Sequence, residues 1–150
     1  PMGWDSFRRC SVTVPVDDQS ILDRHGVGHR PFILFVGTVE PRKNLPALLD
    51  AMDNLRRRLG RRVPALVLAG GYGWRAGAVR KRLEQGVRDG HLFRVTNPND
   101  EELRAFYGRA SFTVAPSHGE GWGLAVQESI ALGVPCIASS GGATREAGRD

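Results

Sequence analysis

PFILFVGTVEPRKNLPALLDAMDNLRRRLGRRVPALVLAGG, residues 31–71, contains the pattern from which the fold is read. Phe32–Val36 is a continuous apolar run between Pro31 and Gly37, as expected of a strand buried on both faces. Asn44 stands where it can cap a helix whose apolar positions, Leu45, Leu48, Leu49, Met52, Leu55 and Leu59, follow helical spacing. Gly60 can stop that helix, and Ala65–Ala69 is a second buried strand broken by Gly70, Gly71 and Gly73. Strand, helix and strand joined by short connections form the unit of a parallel sheet.

The alternation continues downstream. A basic helix is expected over 76–87, a third strand over 91–95, and a short helix capped by Asn99 or Asp100 that carries Leu103, Phe106 and Tyr107. A fourth strand, 111–115, runs into a glycine-rich loop, 116–123. A helix over 124–132 is closed by Gly133 and Pro135, and Cys136–Ala138 is a fifth strand. This is the pattern of an α/β fold with a doubly wound, Rossmann-like parallel sheet, in which ligands sit beyond the carboxyl ends of the strands. Upstream, 11–14 reads as an edge strand, Asp17 and Asp18 as a turn, and 1–10 as a tag or linker. At 150 residues the chain is expected to be one domain with one core.

Composition narrows the function classes. No apolar run approaches the length of a membrane span, and no basic segment followed by an apolar one opens the chain. Cys10 and Cys136 form no Cys-x-x-Cys pair and the four histidines are scattered, so no metal-ligand spacing is present. Two unpaired cysteines fit a reducing cytoplasm. The net charge of +5 is almost wholly arginine, since Lys43 and Lys81 are the only lysines. Much of it lies in Arg56, Arg57, Arg58, Arg61 and Arg62, at a helix end where cations complement the dipole and solvate an outer face. Contact with an acidic membrane or a phosphate-bearing partner is the alternative. No aromatic residues interleave with these arginines, so nucleic acid is not expected as a partner.

Two loops carry chemistry. In 117–128, SHGEGWGLAVQE, Gly119, Gly121 and Gly123 let the backbone approach a ligand. The helix starting near Leu124 turns free N–H groups and its positive dipole end outward, which suits a diphosphate. Glu128 lies about 6 Å deeper along that helix, where it can accept hydrogen bonds from a ribose diol. Glu120, at the mouth, suits the hydroxyls of an attached sugar. In the second loop, 37–44, Arg42 and Lys43 precede a helix start that disfavours cations, which makes sense if an anion lies between them. For both loops the plainer reading is a set of solvated surface charges.

Two motifs mislead. Gly71 to Ala76 fits a relaxed G-x-G-x-x-A after a strand, but the following strand, HLFRV, ends in Thr96, Asn97 and Pro98 with no acid to hold a ribose. No G-x-x-x-x-G-K-[ST] occurs, and His118 has no paired nucleophile in sequence.

With these residues identified, the sequence from about Ser11 to Asp150 resembles the family 4 glycosyltransferases of GT-B fold, in their C-terminal, donor-binding domain. The most specific element is Glu120 and Glu128 within PS-x-x-EG-x-G-L-x-x-x-E, followed by ALG-x-P. The resemblance implies a hexosyltransferase that moves a sugar from a nucleoside diphosphate donor to a glycan or lipid-linked acceptor with retention, with no metal or cofactor. In that scheme Glu128 holds the ribose, Glu120 contacts the transferred sugar, and backbone N–H groups of Gly123 and Leu124 meet the diphosphate or sugar. Arg42 and Lys43 neutralise the leaving group, beside Gly37 and Thr38; many relatives carry arginine where this chain has Thr38. The base lies against the strand end near Val95, with Leu103 and Tyr107 behind it. The resemblance further implies an N-terminal acceptor domain not present in these residues, a fragment that binds donor weakly without turnover, and a role in polysaccharide or lipopolysaccharide synthesis. A non-catalytic nucleotide-sugar module and a GT-B epimerase remain the alternatives. A phosphorylase would need a pyridoxal-phosphate lysine, for which neither Lys43 nor Lys81 has the context.

Overall fold

The computed structural model describes residues 17–119 and 121–140. The proposed edge strand over 11–14, the segment 1–10 with Cys10, and Glu120 lie outside the described residues. The elements in chain order are α1 (Asp18–Arg24), β1 (Phe32–Val36), a 3-10 turn (Pro41–Lys43), α2 (Leu45–Leu59), a second 3-10 turn (Gly60–Arg62), β2 (Ala65–Ala69), α3 (Gly77–Arg88), β3 (Leu92–Val95), α4 (Asp100–Arg109), β4 (Phe112–Ala115), α5 (Leu124–Ala131) and β5 (Cys136–Ala138). The strands form one sheet of order β3-β2-β1-β4-β5, with every pair parallel. The α/β class, the doubly wound parallel sheet and the strand and helix positions agree with the sequence pattern to within a residue or so at each end.

Alternation along β1 divides the core. Phe32 and Leu34 face Ile21 and Leu22 of α1 and Phe106 and Tyr107 of α4, whereas Ile33 and Phe35 face α2 and α3 through Leu48, Leu49, Met52 and Leu83. Leu34, Leu66, Val67 and Leu68 are fully buried, each stabilising the fold by about 1.5–3 kcal/mol relative to an exposed side chain.

Two local expectations are corrected. Asp17 and Asp18 begin a helix rather than a turn: the Asp17 side chain accepts from the Gln19 N–H at 3.1 Å and caps α1. Asn44 does occupy the position before α2, but in a left-handed conformation and without capping it. Its side-chain amide donates instead to the Pro116 carbonyl at 3.1 Å, tying the loop after β1 to the loop after β4. At α4 the capping box is complete, with reciprocal bonds between Asn99 and Glu102 at 2.8 and 3.0 Å.

The position of α5 is fixed from beneath. Ser129 is fully buried, and its hydroxyl donates to the Val134 carbonyl at 2.8 Å, which leaves Thr113 of β4 to donate to Ser129 Oγ at 2.7 Å. Ser129→Ala removes the hub of this chain and is expected to cost about 1–3 kcal/mol, read as a lower urea midpoint.

Candidate functional site

After β1 the chain turns to β2 and β3 on one side, then returns across the sheet to β4 on the other. The crevice between the ends of β1 and β4 is thus the switch point where ligands of such sheets bind. A cavity of about 870 Å³ opens there, lined on one side by Val36, Gly37, Thr38, Glu40, Arg42 and Lys43. Gly119, Gly121, Trp122, Gly123, Leu124, Ala125 and Glu128 form the other side.

The first wall is built against the loop after β2. Val39 is fully buried, and its N–H donates to the Gly71 carbonyl while Gly73 donates back to Val39. The 3-10 turn then presents Arg42 and Lys43. The Lys43 side chain lies along Gly37: a Cβ there would stand 3.4 Å from Cε and 3.6 Å from Nζ, so the absent side chain leaves the lysine its path. Arg42 donates to Glu40 Oε1 at 2.7 Å and to the Gly119 carbonyl at 3.0 Å. With His118 N–H on the Arg42 carbonyl at 2.9 Å, and the Asn44 bond to Pro116, three hydrogen bonds stitch the two walls together.

The second wall ends in the N-terminus of α5. Gly123 adopts φ +62°, the left-handed conformation that lets the loop enter the helix, and no side chain caps that end among the described residues. The cavity is therefore lined at the positive end of the helix dipole by Leu124 and Ala125, while the Val126 N–H turns back to the Gly123 carbonyl at 2.9 Å. One turn deeper, Glu128 is half-buried and accepts a hydrogen bond from the Tyr107 hydroxyl at 2.8 Å. Burial pushes the Glu128 carboxyl above its ordinary value, the Tyr107 bond pulls it back, and the charge of Asp100 adds a further push upward. Tyr107 is itself driven far above the ordinary tyrosine value, first by burial and then by the Glu128 charge, so it stays the donor.

The cavity brings together Arg42, Lys43, Glu128, Gly123, Leu124, Gly37 and Thr38, all picked out by sequence. Glu120 lies outside the described residues, although its neighbours Gly119 and Gly121 line the cavity. Val95, Leu103 and Tyr107 are not among the lining residues. Val95 and Tyr107 are buried in the core, with Leu103 packed against it. The sequence reading missed Glu40 and Trp122; the latter is 78% exposed at the mouth, and an aromatic residue between two glycines was a usable signal.

The G-x-G-x-x-A decoy has a structural explanation. A Cβ on Gly73 would stand 2.6 Å from Thr38 Cγ2 and one on Gly70 only 2.2 Å from the Gly37 carbonyl oxygen, so these glycines serve the close approach of two loops. Tyr72 is pinned there by the Arg94 guanidinium, 3.9 Å from its ring centroid.

Among the described residues no helix is long and apolar enough to cross a membrane. The chain is 33% identical over 126 residues to O-antigen chain mannosyltransferase B of Escherichia coli, a match covering 84% of this chain and 33% of that protein. It is 34% identical over 131 residues to the GDP-mannose-dependent alpha-(1-6)-phosphatidylinositol monomannoside mannosyltransferase of Mycolicibacterium smegmatis, covering 81% and 33% respectively. The chain thus spans about a third of the length of these curated relatives. Among solved structures, Anabaena HepE in complex with UDP-glucose superposes with a TM-score of 0.71 at 19% identity, over 89% of this chain and 36% of that one. WaaG, a glycosyltransferase involved in lipopolysaccharide biosynthesis, superposes with a TM-score of 0.61 at 20% identity, over 84% and 33%. The fold is that of the GT-B glycosyltransferases. The family model described as glycosyl transferases group 1 matches residues 18–150, and this chain is a member of that family.

Proposed function

We propose that this chain is the donor-binding domain of a retaining hexosyltransferase of family 4 type, which transfers a sugar from a nucleoside diphosphate sugar to a glycan or lipid-linked acceptor. The observation that carries the reading is the cavity itself, lined by two cations, a helix end that no described side chain caps and a carboxylate one turn deeper. The donor diphosphate lies between Arg42, Lys43 and the N–H groups of Gly123 and Leu124, and Glu128 accepts from the ribose hydroxyls. As the bond from the anomeric carbon to the diphosphate breaks, negative charge grows on the leaving oxygen and these fixed positive groups stabilise it, without a metal in this reading. Glu120 contacts the transferred sugar, the base lies toward the end of β3 at Val95, and the acceptor is held by the rest of the protein, so this chain alone binds donor without turning it over. Two relatives named as mannosyltransferases and a structural neighbour named as a UDP-glucose complex support the donor class. The exposed Arg57, Arg58, Arg61 and Arg62 fit peripheral contact with an acidic membrane on the cytoplasmic side.

Calorimetric and NMR titration with UDP, GDP and dTDP tests the reading. The expected result is saturable binding with amide shifts at 37–43, at 121–128 and at the end of β3 near Val95, weakened about tenfold by Glu128→Ala for ribonucleotides. Shifts centred elsewhere, or no binding at millimolar nucleotide, would overturn it.

A further inference from the structure

Tyr107 is fully exposed to the core and not at all to solvent, lying among Ile21, Phe32, Leu34 and Phe106. Phenylalanine would fill that space equally well, and a hydroxyl brought into such surroundings costs free energy unless it is bonded. Its hydroxyl reaches out of the cluster to Glu128 Oε2 at 2.8 Å, across 21 residues of sequence and between two helices. The bond has one direction, because burial and the facing carboxylate keep the tyrosine protonated. Oε2 is thereby anchored, and Oε1 of this cavity-lining residue has no hydrogen-bond partner among the described residues.

We infer that Tyr107 is a positioning residue, whose hydroxyl fixes the Glu128 carboxylate in the orientation that receives the ribose diol. The inference rests on the donor reading for Glu128 and adds to it a residue that does not touch the donor. A glutamate side chain has three rotatable bonds, and holding it before the ligand arrives removes an ordering cost from binding. The same bond opposes the rise in the carboxyl's proton affinity that burial causes. Four other charged or titratable groups face this pair. Asp100 at the start of α4 pushes the Glu128 carboxyl upward, and Cys136 of β5 acts on Tyr107. Arg42 and Lys43 line the opposite wall of the cavity.

Tyr107→Phe tests the assignment in this chain, with UDP and inorganic pyrophosphate as probes. The expected result is a folded protein whose UDP affinity falls about tenfold while pyrophosphate affinity is nearly unchanged. With the hydroxyl gone, burial acts on the carboxyl unopposed, so the acid limb of UDP binding moves to higher pH. A merely structural tyrosine would weaken both probes together and leave that limb in place. Unchanged UDP binding and an unchanged acid limb in Tyr107→Phe, with Glu128→Ala still impaired, would overturn the inference. If Glu128→Ala itself changes nothing, the donor reading fails instead. The Tyr107 bond is then judged in the free protein by carbon-13 titration of the Glu128 carboxyl, which must rise in Tyr107→Phe. Should that variant not fold, 3-fluorotyrosine can be incorporated into Tyr72→Phe protein, which has only one other tyrosine. The more acidic phenol is a stronger donor and must move the carboxyl titration downward; no movement overturns the assignment.

Discussion

Gly70→Ala is expected to destabilise the domain by about 4 kcal/mol or more, enough to unfold most natural domains of this size under mild denaturant. The cost has two sources at one position. Gly70 holds φ +150°, where a side chain is strained. A Cβ there would also meet the Gly37 carbonyl oxygen at 2.2 Å and its carbon at 2.7 Å. Both are main-chain atoms at the end of β1, so relief requires the ends of β1 and β2 to separate, and Gly37 N–H donates to the Ala69 carbonyl at 2.9 Å in the same place. Gly77→Ala, where a Cβ meets nothing within 4 Å at the start of α3, is the matched control and should be neutral or slightly stabilising. Urea denaturation of the two variants decides the matter, and a Gly70→Ala protein within 1 kcal/mol of the parent would refute this account.

The largest effect on ligand binding is expected from replacing Arg42 and Lys43 together by alanine. Charge-assisted hydrogen bonds to phosphate contribute roughly 1.5–3 kcal/mol each, so loss of both should weaken nucleoside diphosphate binding by about two orders of magnitude or more. The discriminating measurement uses uridine beside UDP: affinity for the nucleoside should hardly change, since it carries no phosphate. Loss of both affinities would mean that the substitution had unseated the wall, which is conceivable because Arg42 also bonds Glu40 and the Gly119 carbonyl. The single Lys43→Ala variant spares those bonds and should retain the selective loss at a smaller size.

The centre of the sheet was legible because β1 and β2 are buried on both faces and so appear as unbroken apolar runs, FILFV and ALVLA. The order of strands was not, but the alternation with helices limited it to parallel arrangements with a switch point, and the loaded loops converge there. Helix α1 was missed because aspartate favours both turns and helix starts, and only the packing of Ile21 and Leu22 beside α4 decides between them. Asn44 misled for a similar reason: its usual role is local, whereas here its partner is Pro116, 72 residues away. The pairing of Tyr107 with Glu128 has no sequence signature: Tyr107 continues the apolar spacing of α4, and the resemblance set it behind the base rather than against the ribose-binding carboxylate. The glycines of 70–73 were visible, but what they approach was not.

The bonds from His118, Arg42 and Asn44 that cross between the loops have a consequence for how the cavity can deform. With three bonds joining them, the turn that bears Arg42 and Lys43 and the loop leading into α5 are expected to shift together rather than apart, so the width of the crevice is held from both sides.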